Sequence, residues 1–309
     1  MSTPRAPARD DQRRRRAHLI IHDVDRDGWG SAALLVEALG PESCELRPTK
    51  SKDVRRIVDG AHPEQHVWVL DIPAPPSWAG WDRRDAETTW VDHHLASWSR
   101  PAPMWIRAIV PETDRPTTTM SLLVRHGLAS PGTGHELARR LCTRDDDAWG
   151  EVFDGLSQQF PDLPVTHQRL PALLEGAPRG GAIPAALEPA AKGASQLRGL
   201  IDDVLADAEV IVEPALVVAY LHDAKRVPLA RCSLTLGRRH PGRLVAIVHR
   251  NQRLYCGRSS QSAGLNLIEH FRARGLDPKG HPYVSTVDVP NGRIADELEA
   301  LACATGASS

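Results

Sequence analysis

Residues 18–39 read HLIIHDVDRDGWGSAALLVEAL, and they combine the three patterns on which the fold prediction depends. The first five residues are mostly apolar, as is typical of a short buried strand. A turn rich in Asp and Gly follows. Residues 31–39 then have the composition of a helix that ends before Gly40-Pro41. A strand, a turn and a helix in this order indicate the first unit of an α/β fold.

The same alternation continues along the chain. Residues 67–70 and 88–91 are short apolar runs, and residues 117–126 and 135–143 have helical spacing. Strands that alternate with helices predict an α/β fold whose N-terminal domain has a mainly parallel sheet flanked by helices. Further apolar runs and helical segments within residues 211–309 predict a smaller C-terminal α/β domain.

Composition divides the chain into four parts. Residues 1–17 contain six Arg and few apolar residues, which indicates a disordered basic tail. Residues 18–160 are the predicted domain with the parallel sheet. Residues 161–210 combine a segment rich in Pro, Ala and Gly with a connecting helix at 196–208, so they are predicted to be a linker. Residues 211–309 form the second predicted domain.

Charge is unevenly distributed although the formal net charge is −1. Residues 18–222 carry 19 Lys and Arg against 30 Asp and Glu, whereas residues 223–281 carry 12 against 3. This partition indicates that the first region holds cations and that the second binds an anionic ligand.

Several classes of protein are excluded by simple counts. No run of 18 apolar residues is present, so neither a transmembrane helix nor a membrane partner is expected. The 5 Cys form no CxxC pair, which argues against a disulfide framework and a thiolate zinc site. The N-terminus has no apolar signal segment, and we therefore expect a cytoplasmic protein.

Candidate metal ligands adjoin the three apolar runs of the N-terminal half. They are His22, Asp23, Asp25, Asp27, Asp71, Asp92, His93 and His94. Because the carboxyl ends of neighbouring parallel strands meet at one edge of a sheet, we expect these side chains to lie together. Crowded carboxylates repel one another unless a cation offsets their charge. The mixed Asp and His set therefore predicts a divalent metal site, and its many oxygen ligands favour Mn²⁺ or Mg²⁺.

These residues resemble the motifs of the DHH phosphoesterases. His22 with Asp25-Arg26-Asp27-Gly28 is similar to the first motif of that family, and Asp71 is similar to the second. Asp92-His93-His94 is similar to the third motif, which gives the family its name. The fourth motif is an Asp beyond a helix; it is matched by Asp145, with Asp147 as the alternative in the run 145–147.

The C-terminal part resembles the DHHA1 substrate-binding module that accompanies many of these domains. The residues that match are Arg258, Ser259, Gly280 and His281. The module commonly ends in a Gly-Gly-His segment, and here Lys279 stands in the place of one glycine. The resemblance implies that residues 18–160 are the catalytic domain and that residues 211–309, through these four residues, bind the substrate.

Two divalent ions are implied by the resemblance, Mn²⁺ in the first place and Mg²⁺ as the alternative. The first ion would be held by His22, Asp25 and Asp71. The second would be held by Asp27, Asp71, His93 and Asp145. Asp71 would bridge the two ions, and Asp23 is an alternative to His22. His94 would contact the scissile phosphate or protonate the leaving group; the alternative is that it orients a ligand by a hydrogen bond.

The expected function is that of a dimetal phosphodiesterase. It would hydrolyse short oligonucleotides or small nucleotides, cyclic ones included, through a metal-activated hydroxide. One alternative is a phosphatase or pyrophosphatase that acts on a small phosphorylated metabolite. Another is a non-catalytic relative that binds nucleotides or nucleic acid. The expected partner is a short nucleic acid or a nucleotide, and a homodimer is compatible with the sequence.

Overall fold

The structure, a computed structural model, describes residues 17–81, 87–112, 117–143, 148–159, 182–183, 185–221, 229–250, 252–258, 265–281 and 283–306. The chain divides into two compact units, Met1–Gln196 and Leu197–Ser309. The predicted basic tail up to residue 16 and residues 160–181 of the predicted linker lie outside the described residues.

The first unit is built on a five-stranded sheet with the order β2-β1-β3-β4-β5, and all of its strand pairs are parallel. Its strands are β1 His18–His22, β2 Cys44–Pro48, β3 His66–Leu70, β4 Thr88–Val91 and β5 Ile106–Ile109. The predicted parallel sheet is confirmed. The sequence did not predict β2 and β5, which lie at the two edges and include exposed or half-buried polar residues such as Glu45 and Arg107.

Six helices are described in this unit. They are α1 Arg26–Leu39, α2 Val54–Asp59, α3 Thr119–Arg125, α4 Pro131–Thr143, α5 Ala148–Gln159 and α6 Glu188–Ala206, whose last residues enter the second unit. α1 begins five residues earlier than predicted, because the Asp25 side chain caps it and accepts a hydrogen bond from the Gly28 N–H at 2.9 Å. α3 begins at Thr119, after an equivalent cap by Thr118.

Hydrophobic cores lie on both faces of the sheet. Ile20 and Leu70 belong to one core cluster with residues of α1, α3, α4 and α5. Leu19, Ile21 and Val69 belong to the other cluster. Successive residues of β1 thus point to opposite faces and are buried on both, which explains why the central strands are continuous apolar runs.

α5 and the beginning of α6 pack closely within the first unit. A Cβ atom on Gly155 of α5 would collide with the backbone carbonyl of Ala190 in α6. Leu187 and Ala190 are buried in the same core cluster as Phe153 of α5. Residues beyond the predicted domain boundary at 160 therefore belong to the core of the first unit.

The second unit has a six-stranded mixed sheet with the order β10-β11-β9-β8-β7-β6. Its elements are β6 Glu209–Val212, β7 Leu216–Leu221, α7 Leu229–Arg239, β8 Leu244–His249, β9 Arg253–Arg258, α8 Leu267–Ala273, β10 Lys279–His281, β11 Val284–Asp288 and α9 Ile294–Gly306. Among the described strand pairs of this sheet, β7 with β8 is parallel and the others are antiparallel. The predicted C-terminal α/β domain is confirmed as a fold. Among the described residues, no helix has the length and apolar character needed to cross a bilayer.

Candidate metal centre

The central strands of the first sheet end in register at one edge. The backbone N–H of Asp23 donates to the carbonyl of Leu70 at 3.1 Å, and that of Asp71 donates to Val91 at 2.9 Å. Asp92 continues the series, because its N–H donates to the next strand, β5. Three carboxylates therefore follow β1, β3 and β4 at the carboxyl edge of the sheet, as the sequence predicted.

Asp71 is fully buried. Its backbone φ is +59°, a left-handed conformation that a non-glycine residue rarely adopts and that is common at functional sites. Its Oδ1 accepts a hydrogen bond from the Thr119 hydroxyl at 2.9 Å and lies 3.2 Å from Nδ1 of His93. Burial, followed by the charges of Asp25 and Asp27, raises the pKa of Asp71 well above its ordinary value. The position is thus unfavourable for an isolated carboxylate.

Asp27, which is buried, forms a pair with the largely buried His93 next to Asp71. Oδ2 of Asp27 lies 2.9 Å from Nδ1 of His93 and accepts the backbone N–H of Thr119 at 2.6 Å. Oδ1 of Asp27 accepts the N–H of Met120 at 3.1 Å. Burial alone would raise the pKa of Asp27, but these hydrogen bonds outweigh it and lower the pKa. Burial would lower the pKa of His93, and the hydrogen bond from its ring to Asp27 reverses this and raises it.

His94 stacks on His93, with ring centroids 4.3 Å apart and an interplanar angle of 18°. Nδ1 of His94 lies 2.5 Å from Oδ1 of the fully buried Asp92. The ligand atoms that Asp71, His93 and His94 offer all lie within 4.8 Å of one another, which is a spacing that could hold a metal ion. The second and third sequence motifs are therefore brought together.

His22 ends β1 with its ring fully buried. Its Nδ1 donates to the carbonyl of Asp23 at 2.7 Å, so Nε2 carries the lone pair. Burial lowers the pKa of His22 to about 4, although the hydrogen bond to Asp23 opposes this shift. The imidazole is therefore neutral at physiological pH, as a metal ligand must be.

Asp23 and Asp25 lie in the turn after β1. Burial and the charge of Asp25 raise the pKa of Asp23 to about 7. The Val24 N–H, His94 and Lys50 lower this pKa, but by less than burial and Asp25 raise it. Asp25 is exposed and caps α1 through its contact with Gly28. The charges of both carboxylates also raise the pKa of Asp71, which places the whole first motif within electrostatic range of the second.

The donor atoms of this cluster fit a divalent cation. In the part of the chain that the structure describes, Nε2 of His22 and Oδ2 of Asp71 are buried without a hydrogen-bond partner. Buried polar atoms normally have a partner, so two such atoms, one at the end of β1 and one directly after β3, are donors suited to a metal ion. A neutral imidazole and several carboxylates are donors that Mn²⁺ accepts, and a cation would offset their mutual repulsion.

The structure leaves some of the predicted site residues outside this cluster. Asp145 and its alternative Asp147 lie outside the described residues, and so does Ser259. Arg258 ends β9 and His281 ends β10, both in the second unit.

Gly280 lies in the middle of β10, where it pairs with Ser285 of β11. Its φ is +121°, and a Cβ atom there would collide with the carbonyl of Val284. The position therefore requires a glycine. Lys279 is the first residue of the same strand.

Sequence reasoning missed Thr119 as part of the site. Its hydroxyl donates to Asp71 and lies 3.3 Å from Nδ1 of His93, while its backbone N–H donates to Asp27. The available signal was the run Thr117-Thr118-Thr119 before an apolar segment, a common pattern at the start of a helix. That pattern predicts a helix start but not what lies against it.

The fold and this cluster together define the structural class of the chain. It has the α/β fold of DHH-domain proteins, and the predicted resemblance is confirmed at the level of the fold. Neither the family models nor the curated proteins compared with the sequence match it.

Three solved structures illustrate the likeness. A DHH domain described as a member of the s1p family of ribosomal proteins has a TM-score of 0.63 at 13% identity, covering 94% of this chain and 87% of the other. The exonuclease RecJ bound to manganese has a TM-score of 0.51 at 14% identity, covering 95% and 91%. PggH, a pGpG-specific phosphodiesterase from Vibrio cholerae, has a TM-score of 0.51 at 15% identity, covering 94% and 100%.

Proposed function

We propose that this protein is a dimetal phosphodiesterase that hydrolyses short oligonucleotides or small nucleotides. The observation that carries the proposal is the convergence of Asp27, Asp71, His93 and His94, with the buried atoms His22 Nε2 and Asp71 Oδ2 left without partners. The fold is compatible with this activity, since RecJ is an exonuclease and PggH a phosphodiesterase.

The residues divide into two sets of ligands. His22, Asp25 and Asp71 would hold one ion, and Asp27, Asp71, His93 and Asp145 the other, with Asp71 shared. Mn²⁺ is our first choice, since RecJ binds manganese, and Mg²⁺ is the alternative. When bound, the two ions would acidify a water molecule and offset the negative charge of the phosphate.

His94 is the residue that we assign to the scissile phosphate. The Asp92 carboxylate engages Nδ1, so Nε2 is the ring nitrogen that would contact a phosphate oxygen or donate a proton to the leaving group. In the second unit, we assign substrate binding to Arg258, Ser259, Gly280 and His281. A guanidinium group and an imidazole suit a terminal phosphate.

A substrate screen tests this function. Protein stripped of metal with a chelator is titrated with Mn²⁺ or Mg²⁺ and offered mononucleotides, linear and cyclic dinucleotides, and oligonucleotides of increasing length. The proposal predicts metal-dependent release of nucleoside monophosphates, or linearisation of a cyclic dinucleotide. Release of inorganic phosphate alone would favour a phosphatase or pyrophosphatase.

Two substitutions of histidine provide the matched control. His93→Gln removes a proposed ligand and should lower turnover about 100-fold or more, whereas His135→Gln changes an exposed residue of α4 and should leave turnover unchanged. Calorimetric titration with Mn²⁺ completes the test. If the wild type and Asp71→Ala bind equally little metal, the protein is a non-catalytic relative.

Three finer points stay predictions. A cytoplasmic location agrees with Cys232, Cys256 and Cys303, which form no disulfide in the described part of the chain. The homodimer can be measured by analytical ultracentrifugation. The substrate-binding role of the second unit can be measured by the effect of Arg258→Ala on KM.

A further inference from the structure

A tryptophan lies behind the third motif. Nε1 of Trp98 donates a hydrogen bond to Oδ2 of Asp92 at 2.8 Å, and the other oxygen of Asp92 is 2.5 Å from Nδ1 of His94. Asp92 is fully buried, and its Oδ1 also accepts the backbone N–H of His94 at 3.2 Å. Each oxygen of this carboxylate is therefore held by a donor from the same short segment.

The segment between His94 and Trp98 is a turn that places the Trp98 indole next to Asp92. Residues 95–97 form a single 3-10 turn, and the Trp98 N–H closes it on the carbonyl of Leu95 at 3.0 Å. The Ser97 hydroxyl donates to the carbonyl of His94 at 2.8 Å and accepts the backbone N–H of Ala74 at 2.9 Å. The turn is thus fixed to the chain that follows β3, and this limits the positions available to Trp98.

Trp98 is also held by other aromatic rings. Its ring centroid lies 5.9 Å from that of Trp90 and 6.0 Å from that of Trp78, and Trp81 packs against both of these. We call these four residues the tryptophan cluster. A donor with two side-chain torsions, packed in such a cluster, loses little further freedom when it makes its hydrogen bond.

We propose that Trp98 is a positioning residue that acts on His94 through Asp92. The indole N–H fixes the Asp92 carboxylate, and the carboxylate holds the proton of His94 on Nδ1, so that Nε2 is presented to the phosphate. The chain of hydrogen bonds from Trp98 through Asp92 to His94 is called the relay below. The effect of the relay on catalysis rests on the proposed function, whereas the relay itself does not. The proposal assigns a role that the sequence motifs do not include, since Trp98 lies four residues beyond them.

The relay is tested first in the metal-free protein, without any substrate. Ring ¹⁵N shifts of His94, assigned by their loss in His94→Gln, report which ring nitrogen carries the proton. We expect the Nδ1–H form in the wild type and a mixture of both forms in Trp98→Phe, which keeps an aromatic ring but lacks the N–H. Trp78→Phe makes the same chemical change in the tryptophan cluster, leaves all three donors to Asp92 in place, and should keep the Nδ1–H form.

Kinetics then test the effect on catalysis, with the linear dinucleotide pApA and Mn²⁺ as the probe, because the sugar oxygen that leaves from pApA needs a proton. Trp98→Phe should lower kcat about tenfold at an unchanged KM, and Trp78→Phe should change neither. If Trp98→Phe retains the Nδ1–H form, the relay is overturned. If the proton shifts and kcat does not fall, the positioning role is overturned. Absence of activity in every protein, wild type included, would count against the proposed function. The ring ¹⁵N shifts would still show whether Trp98 holds the proton of His94 on Nδ1.

A second replacement covers the case in which Trp98→Phe fails to fold. 3-Benzothienylalanine, introduced at position 98 by amber suppression, has the shape of tryptophan and lacks only the N–H donor. The same loss of the Nδ1–H form is expected. Retention of that form in this protein would overturn the proposal as well.

Discussion

Arg26 and Asp154 form a buried two-point ion pair: Nε of Arg26 lies 2.7 Å from one oxygen of Asp154, and the terminal nitrogen lies 2.7 Å from the other. The second terminal nitrogen donates to the carbonyl of Leu141 at 3.0 Å. Arg26 is the first residue of α1, next to the metal-ligand candidates Asp25 and Asp27. The pair therefore connects the first motif to α4 and α5.

Asp154→Ala tests the contribution of this pair to stability. Both side chains are only 10% exposed, so the substitution removes the carboxylate partner of a buried guanidinium and should cost about 3–5 kcal/mol. The measurement is urea unfolding. Asp202→Ala is the control, because the Arg239–Asp202 pair is 47% and 55% exposed and should contribute about 1 kcal/mol or less. Equal losses of unfolding free energy in Asp154→Ala and Asp202→Ala would show that the buried pair contributes no more to stability than the exposed one.

Gly28→Ala should disturb the turn that carries the first motif. A Cβ atom there would collide with the backbone carbonyl of Asp23, so we expect a loss of about 1–3 kcal/mol and weaker binding of Mn²⁺. Gly199→Ala in α6 meets no atom within 4 Å and should be stabilising by about 0.5–1 kcal/mol. Calorimetric unfolding with and without Mn²⁺ measures both effects. If Gly28→Ala binds Mn²⁺ as tightly as the wild type, the conformation of this turn does not contribute to metal binding.

Thr119→Val should weaken metal binding without unfolding the protein. Valine has nearly the same shape but lacks the hydroxyl that orients Asp71, while the backbone N–H groups that bind Asp27 remain. We expect the affinity for Mn²⁺ to fall about tenfold. Thr305→Val removes a hydroxyl whose hydrogen bonds, among the described residues, lie within α9, and it should leave the affinity unchanged. The two affinities are compared by calorimetric titration, and a Thr119→Val value equal to the wild type would exclude this orienting role.

Stabilisation by metal should increase with pH. The pKa of Asp23 in the folded protein is about 7, above its ordinary value of 3.8, so the metal-free folded state retains a proton that the unfolded state has lost. Its contribution to stability is therefore complete at low pH and is lost as the pH rises toward and through about 7. Burial raises the pKa of Asp71 too, which adds to the same trend.

A divalent ion removes this loss because it stabilises the ionised carboxylates. We expect the rise in Tm caused by Mn²⁺ to be larger at about pH 8 than at about pH 5.5. His22 should not reverse the trend, since its pKa of about 4 keeps it neutral at both values. If the rise in Tm caused by Mn²⁺ is equal at the two pH values, or larger at the lower one, the carboxylates of Asp23 and Asp71 do not bind the ion.

The central strands and their motifs were predictable because burial leaves a simple pattern. β1, β3 and β4 are covered on both faces, so they are continuous apolar runs, and the ligand candidates begin where the runs end. β2 has half-buried positions and β5 has exposed positions at the edges of the sheet, and their mixed composition does not distinguish them from loops. Their existence follows from the tertiary fold alone.

The site residues that the sequence did not predict make contacts with segments that are distant in the chain. Thr119 reaches Asp71 across 48 positions of the chain, and Arg26 reaches Asp154 across 128. Neither pair has a spacing that a motif could record. Trp98 is closer in sequence, but its role depends on a turn that brings the indole back to Asp92.

The close packing of Gly155 against Ala190 has a practical consequence for dissecting the protein. A polypeptide that stopped at residue 159 would contain every described ligand candidate, yet it would lack Leu187 and Ala190, which complete the first hydrophobic core. Such a fragment would expose the face of α5 at Gly155 and should aggregate. An N-terminal fragment suited to metal titration must therefore extend into α6.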